Sequence, residues 1–250
     1  ARLGDAGSVL HALPAGLGKS RQPFQAGAGR YGHAGLEADQ EVQQLMVDVL
    51  SSLGVPGVQI DIGHPAIFRS LVAEAGLAPD LAERVFLATE AKDLPGLQEL
   101  LAPMGAAGHA LLSLPTLYGD ANVVARAKAL LPASDRIRSA IADLEAIHAQ
   151  FSGQGIKVSI DLGAPGGFNY ESGITFSAYA EGAADAVARG GRYDEVGKAF
   201  GRARPATGFS LDLKALLPLV KDAPARGAIL GPLAPDAGAT ETGVLVLDRV

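Results

Sequence analysis

The chain has 250 residues, of which 48% are hydrophobic and 19% charged, with a formal net charge of −6 at pH 7. That length can bury a substantial core without help from disulfides or metals, and the composition is that of a folded protein. The acidic balance carries no electrostatic footprint for nucleic acid, the lack of cysteine excludes thiolate chemistry and Cys-based metal sites, and no apolar run approaches the ~18 residues of a membrane span.

Residues 9–13 form a short apolar run. A Gly-rich link over 15–20 separates it from residues 23–26, so the two stretches read as hairpin strands joined by a mobile loop. Residues 38–53 carry the clearest helical signal. Val42, Leu45, Met46, Val49, Leu50 and Leu53 share one face, Asp39 and Glu41 lie in the first turn, and Gly54 marks the stop. Residues 58–62 alternate as a half-buried strand through Val58, Ile60 and Ile62.

Residues 65–151 read as a mostly helical block with no sheet signal of its own. Pro65 suits the first turn of a helix that Gly76 ends. Further helices fit 81–86, 97–101, 122–131 and 134–151, the last with Ser134 as N-cap and Ile137, Ile141, Leu144, Ile147 and Phe151 inward. Strands resume at 156–162, 174–179 and 185–188. Gly190-Gly191 reads as the next turn, and 207–210 as a strand entering a helix over 211–219. Two short apolar runs, 228–230 and 244–247, mark a C-terminal appendage. Strands on both sides of a helical block predict an α+β fold with a largely antiparallel sheet.

Local motifs exclude several chemistries. Gly18-Lys19-Ser20 resembles the end of a phosphate-binding loop, but residue 13, where that loop needs glycine, is Leu13, and another strand follows. The histidines at 11, 33, 64, 109 and 148 show no metal-ligand spacing, and no G-x-S-x-G elbow presents a nucleophile. Two glycine-rich clusters stand out. One runs from Gln25 to Gly29, then Gly32, then Ala38 to Val42. The other spans residues 167–176, 190–194 and 205–209. Glycines inside strands mark either a close approach by a ligand or bulged, tightly packed sheet, and composition does not choose between them.

In this order the clusters resemble the catalytic core of class II histidyl-tRNA synthetases. Residues 7–32 resemble motif 2, residues 167–176 (G-F-N-Y-E-S-G-I-T-F) the histidine-specific "G-L-D-Y-Y-T" signature, residues 190–194 "G-G-R-Y-D", and residues 205–216 motif 3. The resemblance covers roughly residues 2–217. It implies a class II synthetase-like antiparallel sheet flanked by helices. The core would be 1–64 with 152–217, the helical insertion 65–151, and the appendage 218–250. It also implies a motif 1 strand and helix upstream of residue 1.

The family holds ATP with arginines, and the resemblance places three of them at His11, Gly166 and Ala215 of this chain. Losing one such preorganised donor costs about 10²–10³ in rate, so the resemblance argues against aminoacylation. Gln25 and Tyr170 keep family identities, while Gly29 replaces a glutamate that would face the amino group and Glu171 replaces a second tyrosine.

A non-aminoacylating branch matches better, the synthetase-like regulatory subunits of ATP phosphoribosyltransferase. Val9-Leu10-His11, Pro14, Gln25 to Ala28, Gly32, Gly35, Glu37 to Val42 and Gln59 to His64 follow its pattern. That resemblance implies a cytoplasmic subunit with no catalytic residue, cofactor or metal. It would pair with a short-form catalytic subunit, self-associate into a hetero-octamer, and serve histidine biosynthesis and histidine feedback. Histidine binding would fall to a remodelled pocket of Gln25, Tyr170 and Arg192, or to a subunit interface. Sheet packing and a salt bridge to Asp194 or a neighbour is the other reading of Tyr170 and Arg192. A divergent histidine-activating enzyme and a free-standing amino-acid sensor are the alternative functions.

Overall fold

Strands β1 (Arg2–Ser8) and β2 (Phe24–Tyr31) pair antiparallel, from Arg2 opposite Arg30 to Ser8 opposite Phe24. The structure is a computed structural model that describes residues 1–10, 12, 21–164, 166, 171–195, 197–198 and 201–220. The Gly18-Lys19-Ser20 loop, Tyr170 and the two apolar runs of the tail lie outside the described residues. β1 ends before the apolar run at residue 9. Its sequence, RLGDAGS, has no strand signature of its own, and pairing with β2 imposes the extended form.

Helix α1 (Glu37–Ser52) buries Val42, Met46 and Leu50, as its periodicity predicts, together with Ala38 and Val47, which lie outside the predicted face. It closes where the Val55 amide returns to the Leu50 carbonyl and Gly54 adopts φ +71°. Strand β3 (Gln59–Gly63) buries Ile60 and Ile62. Then come α2 (Pro65–Glu74), with proline in its first turn, α3 (Pro79–Glu90), and α4 (Leu94–Leu101), capped by Asp93 on the Gly96 amide at 3.0 Å. Next are α5 (Gly105–Ser113), β4 (Tyr118–Gly119), α6 (Asn122–Leu130) and α7 (Asp135–Ser152). Ser134 takes the N-cap position of α7, but its hydroxyl makes no cap bond. The sequence missed α5, which has little amphipathic pattern, and β4, whose two residues are defined by pairing with β5.

Strands β5 (Lys157–Asp161), β6 (Thr175–Tyr179), β7 (Ala188–Arg192) and β8 (Ala206–Asp212) follow, and short α8 (Leu213–Leu216) closes the described chain. Gly190 and Gly191 lie inside β7, not in a turn. A Cβ on Gly190 would run into the Gly208 carbonyl and the Phe176 ring, so glycine there reflects close strand packing. The strand before α8 also runs on to Asp212, whose carboxylate caps the helix by accepting from the Lys214 amide at 3.0 Å.

The sheet order is β1-β2-β8-β7-β6-β3-β5-β4, and its only parallel pair among the described strands is β3 with β5. A parallel pair requires a long crossover, and α2 through α7 supply it. Sheet side chains such as Ile60, Phe176 and Leu211 share one continuous core with Met46, Phe68, Leu71, Ile141 and Phe151 from the helices.

Candidate functional site

Registration divides the sheet into two unlike faces. Thr207, Phe209 and Leu211 of β8 are buried on the face that α1 covers. The other face carries Gln25, Gly27, Gly29 and Tyr31 of β2, aligned with Asp212, Ser210, Gly208 and Ala206 of β8. Arg189 and Gly191 of β7 continue the Ser210 and Gly208 rows. This front face is a floor of backbone and small side chains, bordered by the 171–173 segment and the approach to β8.

The three residues expected to share a pocket do not all share a face. Gln25 pairs with Asp212 on the front, whereas Arg192 pairs with Thr207 on the α1 side. Tyr170 lies outside the described residues. The Arg192 guanidinium is buried and donates to both Asp39 carboxylate oxygens, from Nη2 to Oδ2 at 2.6 Å and from Nε to Oδ1 at 3.2 Å. It also donates to the Gly35 carbonyl at 2.9 Å and reaches Asp194 at 3.4 Å. Burial pushes the Asp39 carboxyl above its usual range, against the pull of Arg192. Burial opposes the charge on Arg192 too, but Asp39 and Asp194 outweigh it and hold its pKa up. The sequence held a sign of Asp39's role. Three residues before Val42 and seven before Met46, it stands on the buried stripe of α1, where a charge needs a partner.

The backbone of Arg192 works on the front edge. Its carbonyl accepts from the Ser172 amide at 2.8 Å, and the Ser172 hydroxyl accepts from the Asp194 amide at 2.8 Å. From α2, Arg69 donates to the carbonyls of Glu171 at 2.6 Å and Ser172 at 2.9 Å. These bonds tie the segment after Tyr170 to β7 and to the helical layer.

At Gly29 and Gly166, where the resemblance expects larger side chains, neighbouring side chains take up the space a Cβ would enter. A Cβ at Gly29 would stand 3.2 Å from the Tyr31 ring and 3.3 Å from its hydroxyl, so Tyr31 covers the place of a side chain at 29. Gly166 takes φ +61°, a conformation that disfavours arginine, and the Glu171 carboxylate occupies the space a Cβ there would enter. The same carboxylate lies over Gly191 and accepts from the Tyr193 hydroxyl at 3.3 Å. Ala215 sits exposed on α8. His11 lies outside the described residues. Among the described residues no group of three histidines or acids is placed to hold a metal ion, and no helix is long and apolar enough to cross a membrane.

Among the described residues, an eight-stranded, mostly antiparallel sheet with helices against one face and a glycine-rich front defines the class II aminoacyl-tRNA synthetase-like fold. The fold matches an ATP phosphoribosyltransferase regulatory subunit/histidyl-tRNA synthetase from Bacillus halodurans at TM-score 0.77 and 24% identity, over 88% of this chain and 59% of that one. It also matches the ATP phosphoribosyl transferase (HisG:HisZ) complex from Thermotoga maritima at TM-score 0.65 and 20% identity, over 85% and 73% of the two chains. The family model described as histidyl-tRNA synthetase matches residues 1–216, and the chain belongs to that family.

Within the family, its similarity runs to proteins named ATP phosphoribosyltransferase regulatory subunit. The one from Azoarcus sp. (strain BH72) is 48% identical over 95% of this chain and 62% of its own length. Those from Cupriavidus taiwanensis and Ralstonia nicotianae are 50% and 46% identical, over 85% and 100% of this chain and 55% and 66% of their lengths. The chain therefore spans about three fifths of the curated relatives it matches.

Proposed function

We propose that the protein containing this chain is a non-catalytic regulatory subunit of ATP phosphoribosyltransferase, acting in the first step of histidine biosynthesis. The observation that carries this reading is 46–50% identity to regulatory subunits along nearly the whole chain. Its partner is the short-form catalytic subunit, with which it self-associates into a hetero-octamer in the cytoplasm. The arginine positions occupied by His11, Gly166 and Ala215 support a non-catalytic role. So does the Glu171 carboxylate beside Gly166, which would oppose a nucleotide phosphate there.

Histidine is the ligand of the remodelled front face in this reading. Gln25 contacts it from β2 and Tyr170 from the adjoining segment. Arg192 acts from the opposite face as a positioning residue, through its carbonyl bond to the Ser172 amide and its hold on Asp39. Feedback then requires that histidine bind two assembled states with different affinity.

The test is to titrate the purified short-form catalytic subunit with the complete protein, with and without histidine, and follow ATP phosphoribosylation. Activity should rise to a stoichiometric plateau and fall when histidine is added. Failure to form a complex or to raise activity overturns the reading. Histidine-dependent pyrophosphate exchange by the isolated protein would overturn its non-catalytic part.

A further inference from the structure

Helices α1, α2 and α3 close with the same pair of bonds. The amides of Gly54 and Val55 return to the Ser51 and Leu50 carbonyls, those of Gly76 and Leu77 to Ala73 and Val72, and those of Lys92 and Asp93 to Thr89 and Ala88. The turn needs a left-handed residue, which glycine supplies freely at φ +71° in Gly54 and +63° in Gly76. Helix α3 uses Lys92 at φ +53°, and no other non-glycine among the described residues has a positive φ. Lysine there carries a conformational cost that the two glycine caps avoid, and such costs collect at functional positions.

The Lys92 side chain is held in place. Its ammonium donates to the Asp161 carboxylate at 2.8 Å and stands 4.3 Å from the Tyr118 ring centroid, with 40% of the side chain exposed. It lines an open cleft of about 500 Å³ beside β4, together with Leu94, Pro115, Thr116, Tyr118 and Arg126. Tyr118 and Leu94 leave 57% and 42% of their surface to solvent. Arg126 is exposed. It donates to the Thr116 carbonyl at 2.7 Å and has no acidic partner among the described residues. The neighbouring carboxylates are engaged by backbone amides. Asp93 accepts from Gly96 and Asp120 from Asn122, each at 3.0 Å, and Asp161 accepts from Gly163 at 2.8 Å as well as from Lys92. The cleft thus presents two fixed cations beside apolar surface, on a chain whose net charge is −6.

We propose that this cleft is a docking surface for an acidic segment of a partner protein, whose carboxylates meet Lys92 and Arg126 while an apolar side chain seats against Leu94, Pro115 and the Tyr118 ring. The inference rests on the regulatory reading, which supplies the partner, the short-form catalytic subunit. Charge complementarity selects the acidic segment. Arg126 offers a guanidinium fork to a carboxylate, and Lys92 a point charge aimed by Asp161 and Tyr118. Tyrosine and arginine are the residue types that anchor interfaces, and side chains already fixed lose little freedom when a partner docks. β4 is the outer strand, five strands from β8 and so about 24 Å across the sheet, which separates this surface from Gln25 and the glycine-rich floor.

Surface plasmon resonance of the complete protein over immobilised short-form catalytic subunit tests this. The double variant Lys92→Gly with Arg126→Ala should raise the dissociation constant at least tenfold, although Lys92→Gly alone should melt no lower than the parent, because glycine accepts the turn. Rising salt should weaken binding of the parent more than that of the double variant. Arg126→Glu, on the exposed side of α6, leaves the α3 cap untouched and should also weaken binding at least tenfold. Lys128→Ala removes the same charge from the same helix and should leave binding unchanged. A thermal melt of each variant confirms that it folds. Binding as tight as the parent's by the double variant and by Arg126→Glu overturns the proposal, as does an equal loss in Lys128→Ala, and either result leaves the regulatory reading standing. A parent protein that binds no catalytic subunit overturns that reading and the proposal with it.

Discussion

Arg192 and Asp39 are 153 positions apart in sequence and form a buried, doubly hydrogen-bonded ion pair behind β7. Removing one partner leaves the other charge buried and uncompensated. Arg192→Ala should therefore lower unfolding stability by about 3–5 kcal/mol in chemical denaturation. Arg192→Lys should recover only part of this, because an ammonium cannot span both carboxylate oxygens and the Gly35 carbonyl. Asp61 behaves differently. Burial pushes its carboxyl above the usual value and Asp161 adds repulsion, while the Ser159 hydroxyl opposes the shift. A carboxyl raised in the folded state favours folding below its ordinary pKa of about 3.9, and that advantage is lost as pH rises through the folded value. Asp61→Asn removes the loss. Its melting temperature should exceed that of the parent at pH 7, and the difference should shrink toward zero near pH 3.

Helix α1 packs on the face of the sheet opposite the front, and most of it was legible from periodicity and its glycine stop. Leu45 and Leu53, read as part of its apolar face, are 43% and 40% exposed, so the buried stripe is narrower than the pattern. Gln43 lies on the buried side instead. It is fully buried, and among the described residues its side-chain amide has no hydrogen-bond partner. An orphaned buried amide costs about 1–3 kcal/mol. Gln43→Met, close in volume, should raise stability by up to that amount, read as a higher melting temperature at unchanged helicity. The hairpin was less legible. β1 is built from small and polar residues, so its place depends on β2 and not on local preference.

Across the whole molecule, the helical block is also the crossover between the parallel neighbours β3 and β5. Phe68 and Leu71 from α2 and Ile141, Leu144 and Phe151 from α7 fill the core shared with Ile60, Ile62 and Phe176. We therefore expect the block to be required for folding. Replacing residues 65–151 with a flexible linker should abolish cooperative unfolding, and a sharp two-state melt of that deletion would contradict the expectation. The core is built by contacts between segments about 100 residues apart, so its boundaries cannot be read from composition shifts alone.

Local chemistry determined what was legible from the sequence. The period of α1 and α7, the alternation of β3, proline at the start of α2 and the glycines that end α1 and α2 each act within a few residues, and the glycine-rich clusters carried the family resemblance. Long-range registration determined the rest. It put Gly190 inside a strand against Phe176, paired Asp39 with Arg192, and turned Gln25 and Arg192 to opposite faces. It also brought Lys92 into one cleft with Tyr118 and Arg126. A shift of one residue in a strand exchanges its faces, so the side of the sheet on which a residue acts belongs to strand pairing and not to the residue itself.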